Sequence, residues 1–73
     1  MTEADFRRMK KAVEKNGWFL VYDPKGDYTE VLKNGPSDYS VYSVYPGDAH
    51  HVTERYCITT SNSLDRLKYL FVD

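Results

Sequence analysis

The chain has 73 residues, with 10 Lys or Arg against 11 Asp or Glu, which gives a formal net charge of −1. This length predicts one domain over residues 1–73, and the near-neutral charge excludes a general electrostatic attraction to nucleic acid or membranes. The single cysteine rules out an intramolecular disulfide and favours a reducing compartment. The opening residues also lack the apolar run of a signal peptide, so the sequence indicates a cytoplasmic protein.

An amphipathic helix is predicted at the start of the chain. Thr2 is a candidate N-cap, and Asp5 three residues later completes a shortened capping box. Gly17 supplies the left-handed conformation that commonly ends a helix. Between them the apolar side chains recur at helical spacing and form one stripe, made of Phe6, Met9 and Val13.

Two strands are predicted after this helix. Trp18–Tyr22 is rich in β-forming residues and apolar on both faces, so it is expected to be a central strand. Asp23–Asp27 contains Pro and Gly and predicts a turn. Tyr28–Lys33 follows as the second strand, and Asn34–Asp38 is the next expected loop.

Two further strands complete the predicted sheet. The third is Tyr39–Tyr45, and Pro46–Asp48 ends it because proline cannot donate to a strand ladder. The fourth runs from His51 or Val52 to Thr59. Short strands joined by tight turns predict an antiparallel β-meander of three to four strands. Regular alternation would place these side chains of the fourth strand on one face: Val52, Glu54, Tyr56 and Ile58.

The last residues predict a short C-terminal helix. Leu64, Leu67 and Phe71 repeat at helical spacing after a run of candidate N-caps that ends at Ser63. The segment 70–72 is alternatively a strand, because periodicity does not distinguish the two. The predicted fold class is therefore α+β: an N-terminal helix, an antiparallel three- to four-stranded β-meander, and a short C-terminal helix packed on one sheet face.

The sequence contains no recognisable catalytic, cofactor or metal motif. Asp48, His50, His51 and Cys57 are residue types of a metal or Cys/His site, but zinc motifs need clustered pairs at defined spacings. Neighbouring strand residues also point to opposite faces, so the two histidines are poorly suited to one ion. We therefore expect a protein that is not an enzyme and holds no cofactor or metal.

A row of cations follows the first helix. Arg7, Lys11 and Lys15 are spaced four residues apart, on the side opposite the apolar stripe. Such a row can track phosphates and release their counterions, which makes nucleic-acid binding one candidate function. An amphipathic helix also needs a solvated face, and Lys and Arg are good helix formers. An ordinary solvated surface is therefore the favoured interpretation of this row.

Tyrosines dominate the third strand. Tyr39, Tyr42 and Tyr45 are candidate protein-binding residues, since tyrosine is enriched at interface hot spots and can also stack on bases. In a strand Tyr39 and Tyr45 share one face and Tyr42 takes the other. The alternative interpretation is cross-strand aromatic packing within the sheet.

The segment Lys11–Val21, which reads KAVEKNGWFLV, resembles the opening of HicA-type toxins. The resemblance implies a helix followed by a strand, a turn and a second strand, as in a double-stranded-RNA-binding-like fold. The family carries its catalytic histidine in a Gly-Ser-His motif near the start of the second strand. Gly26-Asp27-Tyr28 stands at those positions here, so the resemblance implies topology and not ribonuclease activity.

Together these patterns favour a small non-catalytic protein-binding module of the accessory or inhibitor type. Such a module would act through a tyrosine-rich sheet face and its loops, as phage- or mobile-element-encoded regulators do. Nucleic-acid binding through the basic helix face is the alternative. A small core and exposed strand edges also predict a homodimer.

Overall fold

The chain folds as a helix, a four-stranded antiparallel sheet and a short 3₁₀ helix, in that order. The computed structural model describes residues 1–22, 28–45 and 54–72. The elements are α1 (Glu3–Asn16), β1 (Trp18–Tyr22), β2 (Tyr28–Gly35), β3 (Asp38–Tyr45), β4 (Glu54–Ser61) and η1 (Leu64–Leu70). Within these described ranges, no helix is long and apolar enough to cross a membrane.

Helix α1 begins and ends where its local sequence signals lie. The Asp5 backbone N–H donates to Thr2 Oγ1 at 3.1 Å, and the Thr2 N–H donates to Asp5 Oδ2 at 3.3 Å, which completes a reciprocal capping box. Gly17 has a φ of 85°, and its N–H donates to the Val13 carbonyl at 2.8 Å. A side chain at that φ would be strained, so glycine ends the helix there.

The sheet is a simple meander with the order β1-β2-β3-β4, and every neighbouring pair is antiparallel. The predicted α+β class is confirmed. The register aligns one residue from each strand into a row across the sheet, formed by Phe19, Val31, Val41 and Thr59. Because strand side chains alternate, this row faces the same side as Val21 and Tyr39.

The expectation that Trp18–Tyr22 is a central strand is wrong. Among the described residues β1 pairs only with β2, so it lies at an edge of the sheet. Its apolar residues on both faces indicated burial on both sides, a pattern that ordinarily marks an interior strand. Strand order is decided by which strands pair in space, and the composition of one strand does not contain it.

The connection between β2 and β3 is tighter than predicted. The expected loop Asn34–Asp38 shrinks to Pro36 and Ser37, because β2 extends to Gly35 and β3 starts at Asp38. A register shift between Lys33 and Gly35 accommodates this turn. The Asn34 amide donates to Ser40 Oγ at 2.6 Å across the shift.

A second irregularity changes the face assignments of β4. Thr59 pairs with Val41 while Cys57 pairs with Tyr42, so Ile58 is an extra residue in a β-bulge. Regular alternation from residue 52 to 59 was therefore a wrong expectation, since the bulge shifts the phase by one residue. The start of this strand at His51 or Val52 and the turns at 23–27 and 46–48 lie outside the described residues.

Both helices pack on one face of the sheet, as predicted. The core is a single cluster of side chains that are at most 7% exposed, and Val31 and Val41 lie at its centre with no exposure. Sheet and helices contribute to it together: Phe6, Met9, Val13, Val21, Val31, Tyr39, Val41, Leu64, Leu67 and Phe71.

The C-terminal segment is helical up to Leu70 and a turn at Phe71, so the strand alternative for residues 70–72 is ruled out. Its apolar residues enter the core, and two ion pairs join it to α1. Lys10 Nζ lies 3.1 Å from Asp65 Oδ2, and Lys68 pairs with Glu3. The hydrogen bond and the charge of Lys68 lower the pKa of Glu3. Packing and charge thus hold η1 against the first helix.

Replacing Leu64 by Ala should destabilise the fold far more than the same change at Leu70. Leu64 is 2% exposed and Leu70 is 36% exposed, although both belong to η1. We expect Leu64→Ala to cost about 2–5 kcal/mol in unfolding free energy through lost burial and a cavity. Leu70→Ala is the matched control and should cost less than about 1 kcal/mol. Urea unfolding followed by circular dichroism measures both, and equal losses would contradict the packing of η1.

The capping box should make the stability of the protein depend on pH in the acid range. Hydrogen bonds from Thr2, through its side chain and then its backbone, lower the pKa of Asp5 below its ordinary value. The ionised Asp5 carboxylate therefore stabilises the fold fully above the pKa that Asp5 has in the unfolded chain. This stabilisation is lost as the pH falls through the lower pKa that Asp5 has in the folded protein. We expect Asp5→Asn to destabilise the protein at neutral pH, with a difference from wild type that shrinks in acid.

The control for this response is Glu14→Gln on the same helix. Its carboxylate makes no hydrogen bond or ion pair with the residues that the structure describes. Thermal unfolding between neutral pH and the acid range should show a pH-dependent difference for Asp5→Asn only. A difference at Asp5 that stays constant with pH would mean that its charge does not support the cap.

Candidate protein-binding face

The side of the sheet away from the helices is uncovered in the part of the chain that the structure describes. Register and alternation assign its side chains, since they are the neighbours of the core-facing residues along each strand. We call it the outer face, and define it by its large apolar and aromatic residues: Trp18, Leu20, Tyr22, Tyr28, Leu32, Tyr42 and Val44.

Strand β1 contributes the most exposed part of the outer face. Trp18 is 51% exposed, Leu20 42% and Tyr22 64%, and the three lie side by side because they alternate along one strand. The Tyr22 ring meets Tyr28 of β2 edge to face, with centroids 5.3 Å apart and planes at 78°. Such a pair is worth about 0.5–1.5 kcal/mol beyond its buried area, so it favours this mutual arrangement of the two rings.

The centre of the outer face holds one ion pair. Glu30 of β2 is opposite Tyr42 of β3, and Arg55 of β4 reaches across to pair with Glu30 Oε1. The Arg55 guanidinium carbon also lies 5.5 Å from the centre of the Tyr42 ring, which is a cation–π arrangement. Three strands are thereby tied together on the side that the helices do not cover.

The Glu30 carboxylate is largely buried beneath the outer face. Its side chain is only 14% exposed, and Oε1 is enclosed by the protein and paired with Arg55. The ion pair therefore balances the one carboxylate at the centre of the face, which is surrounded by apolar and aromatic surface.

The three tyrosines predicted as protein-binding residues do not form one surface. Tyr39 is 7% exposed and belongs to the core cluster. Tyr42 lies on the outer face beside Glu30. Tyr45 lies on the helix side of the sheet, where its ring meets Tyr56 with centroids 5.9 Å apart. The spacing of three residues along a strand sends neighbouring tyrosines to opposite faces.

Tyr45 and Tyr56 form a small cluster of their own near the end of the sheet. The Tyr56 hydroxyl donates to Glu54 Oε2 at 2.8 Å. This hydrogen bond, reinforced by the carboxylate charge, raises the pKa of Tyr56 above its ordinary value. The cluster is exposed, but it presents less apolar surface than β1 and lies on the other side of the sheet from Tyr42.

The basic row of α1 is exposed as the sequence suggested. Arg7, Lys11 and Lys15 are all solvent-exposed, and none of them is ion-paired with a described residue. The neighbouring cations differ, since Arg8 lies 3.6 Å from Asp5 and Lys10 pairs with Asp65. The row points away from the sheet, so α1 and the sheet separate it from Tyr42.

The residues that suggested a metal site are only partly described. Cys57 is a free and exposed thiol of β4. Asp48, His50 and His51 lie outside the described residues. In the described ranges no group of three His, Cys, Asp or Glu side chains is placed to hold an ion.

The contribution of β1 to the outer face went unnoticed in the sequence. The alternation of Trp18, Leu20 and Tyr22 on one side of a strand was the signal that could have found it. Apolar residues on the other side of the strand mask this signal, because together they predict burial of both faces.

No protein-family model, curated protein or solved structure matches the chain.

Removing Arg55 should test the coupling at the centre of the outer face. Arg55→Ala would leave the Glu30 carboxylate poorly solvated and without its cation, and we expect a loss of about 1–3 kcal/mol in unfolding free energy. In a Glu30→Gln background the same Arg55→Ala change should cost clearly less, because no charge is left unpaired. Urea unfolding of the four proteins completes the double-mutant cycle, and strictly additive losses would contradict the interaction.

Proposed function

We propose that this chain is a small non-catalytic protein-binding module, of the accessory or inhibitor type, which binds its partner on the outer face. The observation that carries the proposal is the contiguous apolar and aromatic surface that β1 exposes on the outer face. Trp18, Leu20 and Tyr22 are each more than two-fifths exposed, because the helices pack on the other side of the sheet. Contiguous apolar surface of this kind marks interaction sites on small proteins.

The residue types of the outer face suit binding better than simple solvation. Tyr and Trp bring large, rigid area with a polar tip, so burying them costs little side-chain entropy for the area gained. Tyr42 is already held by the guanidinium of Arg55, and Tyr22 by Tyr28. A partner would therefore meet side chains that are ordered before binding, which lowers the entropic cost of association.

The side chains of the outer face also indicate which kind of protein surface would bind there. A flat sheet surface fits another flat or gently convex protein surface, such as a sheet face or the flank of a helix. That surface would be apolar at its centre, to match the exposed apolar and aromatic side chains of the outer face. By analogy with small proteins that block host machinery, we extend the proposal to a phage- or mobile-element-encoded regulator in the cytoplasm.

Nucleic-acid binding is the second candidate, and one observation favours it. Arg7, Lys11 and Lys15 remain exposed and outside the ion pairs that α1 makes with Asp5 and Asp65. However, this row and Tyr42 lie on opposite sides of the two-layered molecule. One strand of nucleic acid would not track the cations and stack its bases on the outer face together, so binding would rest on phosphate contacts alone.

Tyr42→Ala should weaken partner capture while Tyr45→Ala should not. The two residues belong to the same strand and differ in the face they occupy, which makes them a matched pair. Loss of one well-packed interface tyrosine is expected to lower affinity about tenfold. The tagged chain is used to capture protein from nuclease-treated lysate, and the retained partner is purified and titrated against both variants.

The outcomes of this experiment separate the two candidates. A partner that is lost with Tyr42→Ala and kept with Tyr45→Ala supports the outer face. Equal binding by both variants, or a larger loss with Tyr45→Ala, would exclude it. The same capture from untreated lysate tests the alternative. Bound material that is present there and lost after nuclease treatment, that falls steeply with salt, and that disappears when the charges of Arg7, Lys11 and Lys15 are reversed would support nucleic-acid binding.

A further inference from the structure

The free edge of β1 has its own hydrogen-bonding capacity. The Lys33 N–H donates to the Gly17 carbonyl at 2.8 Å, and this bond sets the phase of the β1–β2 ladder. Hydrogen-bonded pairs alternate along an antiparallel ladder, so Phe19 and Val21 direct their backbone groups to β2. The N–H and C=O groups of the intervening residues point away from the sheet, and they belong to Trp18, Leu20 and Tyr22.

Within the described residues, strand β1 is short but carries none of the other sequence features that ordinarily protect a sheet edge. Its five residues include no charge, no proline and no bulge. The opposite edge strand, β4, has a bulge at Ile58 and the charged residues Glu54 and Arg55. Natural proteins use such features to prevent strands from adding to an edge. The two edges of this sheet are therefore different, and β1 is the one built to accept a strand.

There is space beside this edge under the flank of α1. An open groove of about 390 Å³ runs along it, lined by Ala12 and Asn16 of the helix and by Trp18, Phe19 and Leu20 of β1. The helix residues there are small or uncharged. One turn earlier on the same flank, Arg8 forms an exposed ion pair with Asp5, in which Arg8 Nη2 lies 3.6 Å from Asp5 Oδ1.

From these observations we infer that a second copy of this chain pairs with β1, through an antiparallel β1–β1 contact with its two-fold axis at Leu20. In this register Leu20 faces Leu20 of the second copy, and Trp18 faces Tyr22 of the second copy. All the outward N–H and C=O groups of β1 then find partners. Centring the axis on Phe19 or Val21 would leave one residue of the edge unpaired, so Leu20 is the favoured centre.

The side chains of this arrangement are self-complementary. Opposed residues of an antiparallel pair lie on the same face, so two Trp18–Tyr22 pairs and one leucine pair form on the outer face, with no charge opposite a like charge. A strand from an unrelated protein would need to match this apolar sequence, whereas the second copy does so by symmetry. Interfaces of standard size bury about 800 Å² on each partner, and a single strand pair buries less. We therefore expect a dimer that dissociates on dilution.

The mass of the purified full chain, measured by sedimentation equilibrium from about 1 μM to about 1 mM, tests the inference. We expect a shift from monomer to dimer in this range. Leu20→Lys should abolish it by placing two like charges at the axis, whereas Ile58→Lys should leave it intact. Ile58 is similarly exposed, at 49%, and lies on the other edge, so it is the matched control.

Charge complementation tests the two-fold register. The Leu20→Lys and Leu20→Glu chains should each stay monomeric, and their mixture should form the mixed dimer. A Leu20→Cys chain in a Cys57→Ser background should form a disulfide with its copy on mild oxidation, because paired Cα atoms in such a ladder lie about 5.5 Å apart. Ile58→Cys in the same background should not. Circular dichroism confirms that each variant is folded.

Three results would overturn the inference: a monomeric wild type over the whole range, a dimer that Ile58→Lys disrupts and Leu20→Lys does not, or monomers in the charge-complemented mixture. Binding of a foreign strand by a chain that remains monomeric would assign the edge to another protein. Partner binding on the outer face is tested separately from the dimer. Tyr42 lies two strands away from β1, so Tyr42→Ala should leave the mass of the dimer unchanged even where it weakens partner binding.

Discussion

The packing of two helices on one face of a four-stranded sheet determines the rest of this structure. Val31 and Val41, paired across the two central strands and without exposure, are its centre. Burying apolar surface contributes roughly 25 cal/mol per Å², and nearly all of the fully buried side chains contribute on this side. No further layer covers the opposite face of the sheet within residues 1–22, 28–45 and 54–72, so in this part of the chain that face lies at the surface.

An open face must be held in place by its own side chains. Here edge-to-face contact of Tyr22 with Tyr28 and the Glu30–Arg55 pair connect neighbouring strands. These interactions are individually modest, but they order side chains that water alone would leave mobile. The same contacts that stabilise the sheet therefore also prepare a rigid surface. Stability and binding capacity are linked in this molecule because they depend on the same residues.

Local features of the structure were predictable from the sequence and non-local ones were not. The ends of α1 follow from Thr2, Asp5 and Gly17, whose effects act within one helical turn. The position of β1 at an edge depends on pairing with distant residues, and so does the bulge at Ile58. Each tyrosine of β3 looks the same in the sequence. Their different environments depend on the face and on the position along the strand: Tyr39 is buried in the core, Tyr42 is half-buried on the outer face, and Tyr45 is exposed on the helix side near the end of the sheet.

The wrong assignment of β1 as a central strand is informative in itself. Apolar residues on both faces, as in Trp18–Tyr22, are the pattern of a strand whose two faces are both covered. In one copy of the chain this local pattern conflicts with the exposure of Trp18, Leu20 and Tyr22, and natural sequences rarely keep such a conflict. Pairing of β1 with a second copy would make it an interior strand of an extended sheet and would bring these side chains into contact across the axis. The outer faces of both copies would then join across the axis, with Trp18 beside Tyr22 of the second copy, and a partner would meet a two-fold symmetric aromatic surface.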